Sequence, residues 1–174
     1  MESLKALIRT VPDFPKAGIG FKDITTLIKN GDAFAAAIDE MANQFDPDRV
    51  DLIMGIEARG FIFASAMAYK WNKGFIPVRK PGKLPAQTKR LEYDLEYGTD
   101  ALEIHKDAIQ PGQRVLVIDD LLATGGTVAA ACQLVEQLGG EVAGVGFLIE
   151  LTFLNGRAKL EQYKLSSLIE FDSE

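Results

Sequence analysis

The segment Val115 to Thr127, VLVIDDLLATGGT, sets two adjacent aspartates at the end of an unbroken apolar run, with two threonines and two glycines just beyond them. A run of Val, Leu and Ile with no polar alternation reads as a strand buried on both faces, which calls for a parallel sheet covered by helices on both sides. The acid pair then marks the C-terminal edge of that strand, the edge at which open sheets of this kind bind ligands. Ala123, Thr124, Gly125, Gly126 and Thr127 lead into a helix whose apolar stripe is Val128, Cys132, Val135 and Leu138. The first amides of a helix have no intrahelical partner and carry a positive dipole end, so a phosphate suits that position. The glycines let the backbone approach the anion, and the threonine hydroxyls add donors. Carboxylates repel a phosphate, so Asp119 and Asp120 call for a different guest. A sugar diol donates two hydrogen bonds that they accept directly or through a magnesium ion. One phosphate and one diol together describe a ribose 5-phosphate; the plain alternative is a tight turn capped by acids.

The remaining pattern repeats the strand and helix alternation. Asp32 caps a helix with Phe34, Ile38, Met41 and Phe45 on one stripe, and Pro47 stops it. VDLIM is a short strand ending at Gly55, IEARG a loop, and Phe61 to Trp71 a helix; FIPVR, from Phe75 to Arg79, reads as another buried strand. KPGKLP turns the chain out of the core. Leu91, Tyr93, Leu95 and Tyr97 then alternate with Glu92, Asp94 and Glu96, and after a turn at Gly98 the alternation resumes with Leu102 and Ile104. Leu91 to His105 is therefore a hairpin with one wet face. VAGVGFLI supplies a further strand. The order predicts an α/β fold, a parallel twisted sheet with helices on both faces and right-handed crossovers.

A length of 174 residues suits one domain spanning 1–174, and 47% hydrophobic with 25% charged residues suits a globular core. The net charge of −6 opposes the phosphate backbone of nucleic acids. The longest uncharged stretch, Leu121 to Val135, is interrupted by Thr, Gly and Gln and falls short of the roughly 20 apolar residues a spanning helix needs. MESLKALIRT scatters charges with no apolar centre, so no secretory signal is read. The single cysteine, Cys132, fits a reducing compartment, which makes the cytoplasm the expectation.

DDLLATGGT resembles the phosphoribosyl pyrophosphate motif of type I phosphoribosyltransferases. FPKAGIGFKDIT, GIEARGF, RKPGKLP, LEYG and IELTFLNGR, in that order from Phe14 to Arg157, are similar to further blocks of those family members whose substrate is adenine. The resemblance implies the family's sheet with a β-hairpin lid and a small N-terminal hood. It also implies a homodimer, for which the apolar Phe61 to Tyr69 stretch is a candidate contact. The implied reaction is adenine plus phosphoribosyl pyrophosphate giving AMP and pyrophosphate, a purine salvage step. Magnesium would be held through the substrate's pyrophosphate and ribose, with no protein metal site.

Residue by residue, the resemblance gives Asp119, Asp120 and Ala123 to Thr127 to the ribose and its phosphate. GIEARG has Walker-type glycine spacing at Gly55 and Gly60 but lacks the following Lys and Ser or Thr, so it is no nucleoside triphosphate loop. The matching family loop holds pyrophosphate, and the fork of donors on Arg59 suits it. Lys80 and Lys83 match positions near the same group. Glu96 matches the carboxylate that manages the proton on adenine, although an exposed hairpin carboxylate is also what solvation alone would give. Phe21, Lys22 and Leu151 match the adenine pocket, with Lys22 standing where the family usually has arginine. Pro81 to Gly98, carrying Lys83 and Glu96, is expected to close over the site. His105 and Cys132 read as structural. A phosphoryl-receiver domain also carries an acid pair, but near its start, and too little chain follows Asp120 here. A phosphoribosyl pyrophosphate-sensing regulator of the same fold would need a DNA-binding segment, and no basic stretch of that kind precedes the core. A phosphoribosyltransferase for another base stays open at this point because of Lys22.

Overall fold

In the computed structural model, which describes residues 2–94 and 98–173, the N-terminal part is built from α1 (Glu2–Lys5), β1 (Arg9–Val11), β2 (Phe21–Asp23) and α2 (Thr25–Ile28). The core follows as α3 (Gly31–Ala42), β3 (Leu52–Ile56), α4 (Gly60–Trp71), β4 (Gly74–Val78), β5 (Thr88–Asp94), β6 (Thr99–His105), β7 (Arg114–Leu122), α5 (Gly126–Gln137), β8 (Glu141–Leu151) and β9 (Leu165–Phe171). Among the described residues, β4-β3-β7-β8-β9 form one sheet in that order, with every pair parallel.

Alternation along the strands divides the core in two. Ile53, Leu116, Ile118 and Leu148 face one side, where α3 and α4 pack with Ile38, Met41, Phe63 and Met67. Met54, Val117, Val145 and Phe147 face the other, covered by Val128, Cys132 and Val135 of α5 and by Leu102 and Ile104 of β6. The predicted hairpin is present, with β5 and β6 paired from Thr88↔His105 to Asp94↔Thr99. Its inner face is core, since Leu102 and Ile104 are fully buried. The N-terminal hood consists of the antiparallel pair β1–β2 and the short helices flanking it.

Three local expectations change. The cap of α3 is Asn30, whose side chain accepts from the Ala33 amide at 3.1 Å, and Asp32 stands inside the first turn. FIPVR is an edge strand and not a buried one: β4 pairs only with β3 in the sheet, and Phe75 is 37% exposed. Pro77 accounts for this, because a residue without an N–H cannot sit in a ladder on both sides. The apolar run is also longer than the acid pair suggested. β7 continues through Asp119 and Asp120 to Leu122, so both acids are strand residues and not loop residues.

Candidate active-site cleft

Reading only the parallel strands, the order is the doubly wound 2-1-3-4-5 arrangement, whose direction of growth reverses between β3 and β7. The chain leaves β3 towards α4 on one face and leaves β7 towards α5 on the other. The ladder between β3 and β7 stops at Gly55↔Ile118, whereas β7 stays paired with β8 as far as Leu122↔Glu150. The β3 side of Asp119 to Leu122 is thus released from hydrogen bonding and opens into a cleft of about 390 Å³. Glu57, Ala58 and Arg59 form one wall, Lys80 contributes from beyond β4, and Asp119 to Thr127 form the rest.

Asp119 Oδ1 accepts the Asp120 amide at 2.9 Å. Gly60 starts α4 so close to this carboxylate that a Cβ there would lie 2.6 Å from Asp119 Oδ1 and 3.1 Å from the Ile118 carbonyl oxygen. Only glycine lets the loop after β3 rest on β7. Asp120 is buried; Arg59 Nε stands 2.9 Å from its Oδ2 as an ion pair, yet among the described residues that oxygen accepts no aligned hydrogen bond. Burial, and after it the charge of Asp120, pushes the Asp119 carboxyl well above the ordinary carboxylate range. Burial raises Asp120 too, against the pull of Arg59. Two crowded acids with an unsatisfied oxygen form an acceptor set short of donors, which is the chemistry a diol or a hard cation relieves.

Gly125 caps α5 with φ +79, and a Cβ on it would come within 2.5 Å of the Gly156 carbonyl oxygen, so the turn admits no side chain. The segment holding Gly156 is fixed by Arg157, whose Nε and Nη2 donate to the buried Glu150 carboxylate at 2.7 and 2.6 Å; Ser167 Oγ donates to it at 2.6 Å. Free helix amides at Gly126 and Thr127, with the hydroxyls of Thr124 and Thr127, leave this end of the cleft rich in donors.

Of the residues singled out by sequence, Arg59, Lys80, Asp119, Asp120 and Ala123 to Thr127 share the cleft. Phe21 borders it through Arg59, whose guanidinium carbon lies 4.9 Å from the Phe21 ring centre. Lys22, Lys83 and Leu151 do not line it. The Lys22 ammonium is turned towards Thr10 Oγ1 at 3.2 Å and stands 4.5 Å from the Phe171 ring centre. Lys83 is exposed, and its carbonyl accepts from Arg79 Nη1 at 2.9 Å. Leu151 ends β8 against the α3–α4 side of the core. Glu96 lies outside the described residues. His105 accepts from the Ala86 amide at 3.4 Å, and Cys132 is buried among the α5 core residues, burial pushing its thiol up to about 12.

Sequence reasoning passed over Glu57 and Arg79. Arg79 Nη2 donates to Glu57 Oε1 at 2.6 Å and so ties the loop after β3 to the Lys83 turn. That hydrogen bond holds the Glu57 carboxyl below its ordinary value. Both residues stand inside the blocks GIEARG and RKPGKLP, but only the pairing of the two blocks in space gives them a task.

Residues 25–170 match the family model of the phosphoribosyl transferase domain. An adenine phosphoribosyltransferase of Clostridium perfringens is 62% identical over 170 residues, covering 98% of this chain and 99% of that protein. The crystal structure of adenine phosphoribosyltransferase from Thermoanaerobacter pseudethanolicus aligns with a TM-score of 0.95 at 57% identity, covering 98% of this chain and 99% of that one. The Saccharomyces cerevisiae enzyme, crystallised with an imino-altritol bisphosphate and adenine, aligns with a TM-score of 0.90 at 40% identity over 96% and 97% of the two chains. On fold, cleft and whole-length similarity alike, the chain belongs to the phosphoribosyltransferase family, among its adenine phosphoribosyltransferases.

Proposed function

We propose that this chain, acting as one domain over residues 1–174, transfers the 5-phosphoribosyl group of phosphoribosyl pyrophosphate to adenine. The products are AMP and pyrophosphate, and the step is one of purine salvage. The observation that carries the reading is the meeting, in one cleft at the sheet's switch point, of a donor-poor acid pair and a donor-rich helix start. Ribose hydroxyls donate to Asp119 and Asp120, and the 5-phosphate takes the amides and hydroxyls of Ala123 to Thr127. The diphosphate is held by Arg59 and Lys80, with Lys83 approaching from its turn. Phe21 gives the purine a stacking face near Arg59, and Leu151 a second apolar wall. Lys22 spends its ammonium on Thr10 and Phe171, so at this position a lysine serves without a guanidinium fork on the base.

In the reaction, a ring nitrogen of adenine forms a bond to the anomeric carbon as the bond from that carbon to pyrophosphate breaks. The electron pair of the broken bond leaves with the diphosphate. Positive charge develops on the ribosyl ring, and negative charge collects on the leaving group opposite Arg59 and Lys80. The proton lost by adenine goes to Glu96, a positioned base worth typically about 10²- to 10⁴-fold. Asp119 and Asp120 would hold the ribose hydroxyls beside a magnesium ion carried by the substrate's pyrophosphate and ribose, and that ion would neutralise part of the diphosphate charge. We place the enzyme in the cytoplasm as a homodimer. The α4–β4 edge suits the dimer contact, since Tyr69 of α4 is 91% exposed and Phe61 of α4 packs edge to face at 5.5 Å on the partly exposed Phe75 of β4.

The test is product formation by wild type and by the Asp119→Ala/Asp120→Ala double variant. Wild type is expected to release AMP and pyrophosphate only when adenine, phosphoribosyl pyrophosphate and magnesium are all present. The double variant is expected to bind AMP more weakly by about 1–3 kcal/mol per unsatisfied diol donor. Unchanged AMP affinity would end the diol assignment.

A further inference from the structure

Two cleft residues that sit on different elements, Lys80 beyond β4 and Thr127 in the first turn of α5, are joined by a chain of side chains that runs outside the cleft. Lys80 Nζ forms an ion pair with Asp100 Oδ2. Tyr93 Oη donates to that same oxygen at 3.2 Å and stands 3.2 Å from Thr127 Oγ1. Tyr93 and Asp100 face each other across the hairpin as direct register partners, one rung before the described hairpin ends at Asp94↔Thr99. Asp100 is further fixed by its own Oδ1, which accepts the Ala101 amide at 2.8 Å.

The protons in this chain can be counted. An ionised Asp100 only accepts, and burial pushes the Tyr93 phenol above its ordinary value, so Tyr93 is a neutral hydroxyl with a single proton. While Tyr93 gives that proton to Asp100, its oxygen can only receive one from Thr127, which turns the Thr127 hydroxyl away from the cleft. A phosphate oxygen seated at Thr127 would reverse one bond and break the other: Thr127 would donate to the phosphate, and Tyr93, turning its one proton to Thr127, would give up Asp100. Asp100 then keeps Lys80 as its side-chain donor at Oδ2. Resting on the function proposed above, we propose that Tyr93 and Asp100 are positioning residues: Asp100, backed by Tyr93, holds Lys80 in place against the diphosphate from outside the cleft. A freely rotating lysine would surrender most of its side-chain entropy on meeting the diphosphate, and Asp100 has already ordered it.

The test uses binding of AMP and of magnesium pyrophosphate by calorimetry, with steady-state kinetics alongside, on wild type, Asp100→Asn, Asp100→Glu, Tyr93→Phe, Lys80→Met and the Asp100→Asn/Lys80→Met pair. Asp100→Asn keeps the side chain's shape and the acceptor for Ala101. It is expected to raise the pyrophosphate Kd and the phosphoribosyl pyrophosphate KM about five- to tenfold, the scale of one charge-assisted hydrogen bond, while AMP Kd and kcat move less than about twofold. Asp100→Glu should recover part of the loss. The double variant should be no worse than Lys80→Met alone, because Asp100 acts through that lysine. Tyr93→Phe, with its slack 3.2 Å contacts, should raise the pyrophosphate Kd about two- to fivefold and leave AMP affinity unharmed. It carries the test should Asp100→Asn not fold. Losses in Asp100→Asn that add in full to those of Lys80→Met, or that fall equally on AMP and pyrophosphate, would reduce the rung to hairpin structure and overturn the inference. So would an unaltered pyrophosphate Kd in Asp100→Asn while Lys80→Met weakens it, and that result leaves the proposed function standing. Wild type binding neither ligand would overturn both.

Discussion

Gly60 shows how little room the cleft leaves at the scale of a single residue. Any β-carbon there meets Asp119 Oδ1 at 2.6 Å and backbone at 3.1 Å, so the first turn of α4 and the acid-bearing strand can approach only through glycine. Gly60→Ala is expected to lose about 1–3 kcal/mol of stability, the usual cost of forced overpacking, and to weaken AMP binding by displacing Asp119. Urea denaturation and an AMP titration check both; full stability with full affinity would mean the contact relaxes freely. At this scale the sequence was informative where chemistry sits in one segment. The acid pair, the glycines and Thr127 were readable because strand, acids and helix start are contiguous. Glu57 and Arg79 were not, because a carboxylate and a guanidinium 22 positions apart, with α4 and β4 between them, acquire meaning only when β3 and β4 lie side by side.

Among the elements, the short segment after β8 matters more than its irregular sequence suggests. Its 3₁₀ turns, Thr152–Leu154 and Gly156–Lys159, bring Gly156 against Gly125, and the Arg157–Glu150 pair holds them there. Glu150 is 3% exposed, so Arg157→Ala leaves a buried carboxylate with, among the described residues, only Ser167 to serve it. The expected cost is about 3 kcal/mol, at the lower end for a broken buried pair because the arginine itself is half exposed, together with a higher phosphoribosyl pyrophosphate KM. A variant as stable as wild type would show that the loop is held by something else. The hairpin was legible as alternation, but its partner was not. Period-2 patterning says that one face is wet and leaves open what the other face touches, which is the α5 side of the core. A lid reaching from Pro81 to Gly98 must therefore move without β5, whose Leu91 and Tyr93 are packed on that core, or detach them from it. The edge strand β9, LSSLIEF, escaped notice because its serines interrupt the apolar run; the hood was expected from the resemblance alone, since the three-residue strands β1 and β2 carry too little pattern to read.

At the scale of the whole molecule, the parallel sheet and its two helical faces follow from the spacing of apolar runs, whereas the strand order does not. Only the order locates the switch point between β3 and β7 that makes a cleft of the acid pair's neighbourhood. Opposite that cleft, Asp51 ties the entry of β3 to the start of β7: it accepts from Arg114 through the amide at 2.8 Å, Nε at 3.0 Å and Nη2 at 2.8 Å. These bonds hold the Asp51 carboxyl well below its ordinary value. In the hood, hydrogen bonds from Thr25 and Arg9 lower Asp23 to about 2. Each carboxyl is more acidic folded than unfolded. Each therefore stabilises the fold fully above the unfolded value of about 3.9 and loses that contribution as pH falls through the lowered folded value. Asp51→Asn should accordingly show a lower urea midpoint than wild type at pH 7, and a gap that narrows as the pH is taken from about 4 towards 2. A gap constant with pH would assign the loss to shape and not to charge.

The central claim, that this cleft carries a phosphoribosyl group to adenine, is tested most directly by one set of initial rates. With phosphoribosyl pyrophosphate and magnesium held constant, kcat/KM is measured for adenine, hypoxanthine, guanine and orotate. Adenine is expected to exceed every other base by far, despite the lysine at position 22. Hypoxanthine or orotate turning over faster than adenine would contradict the claim.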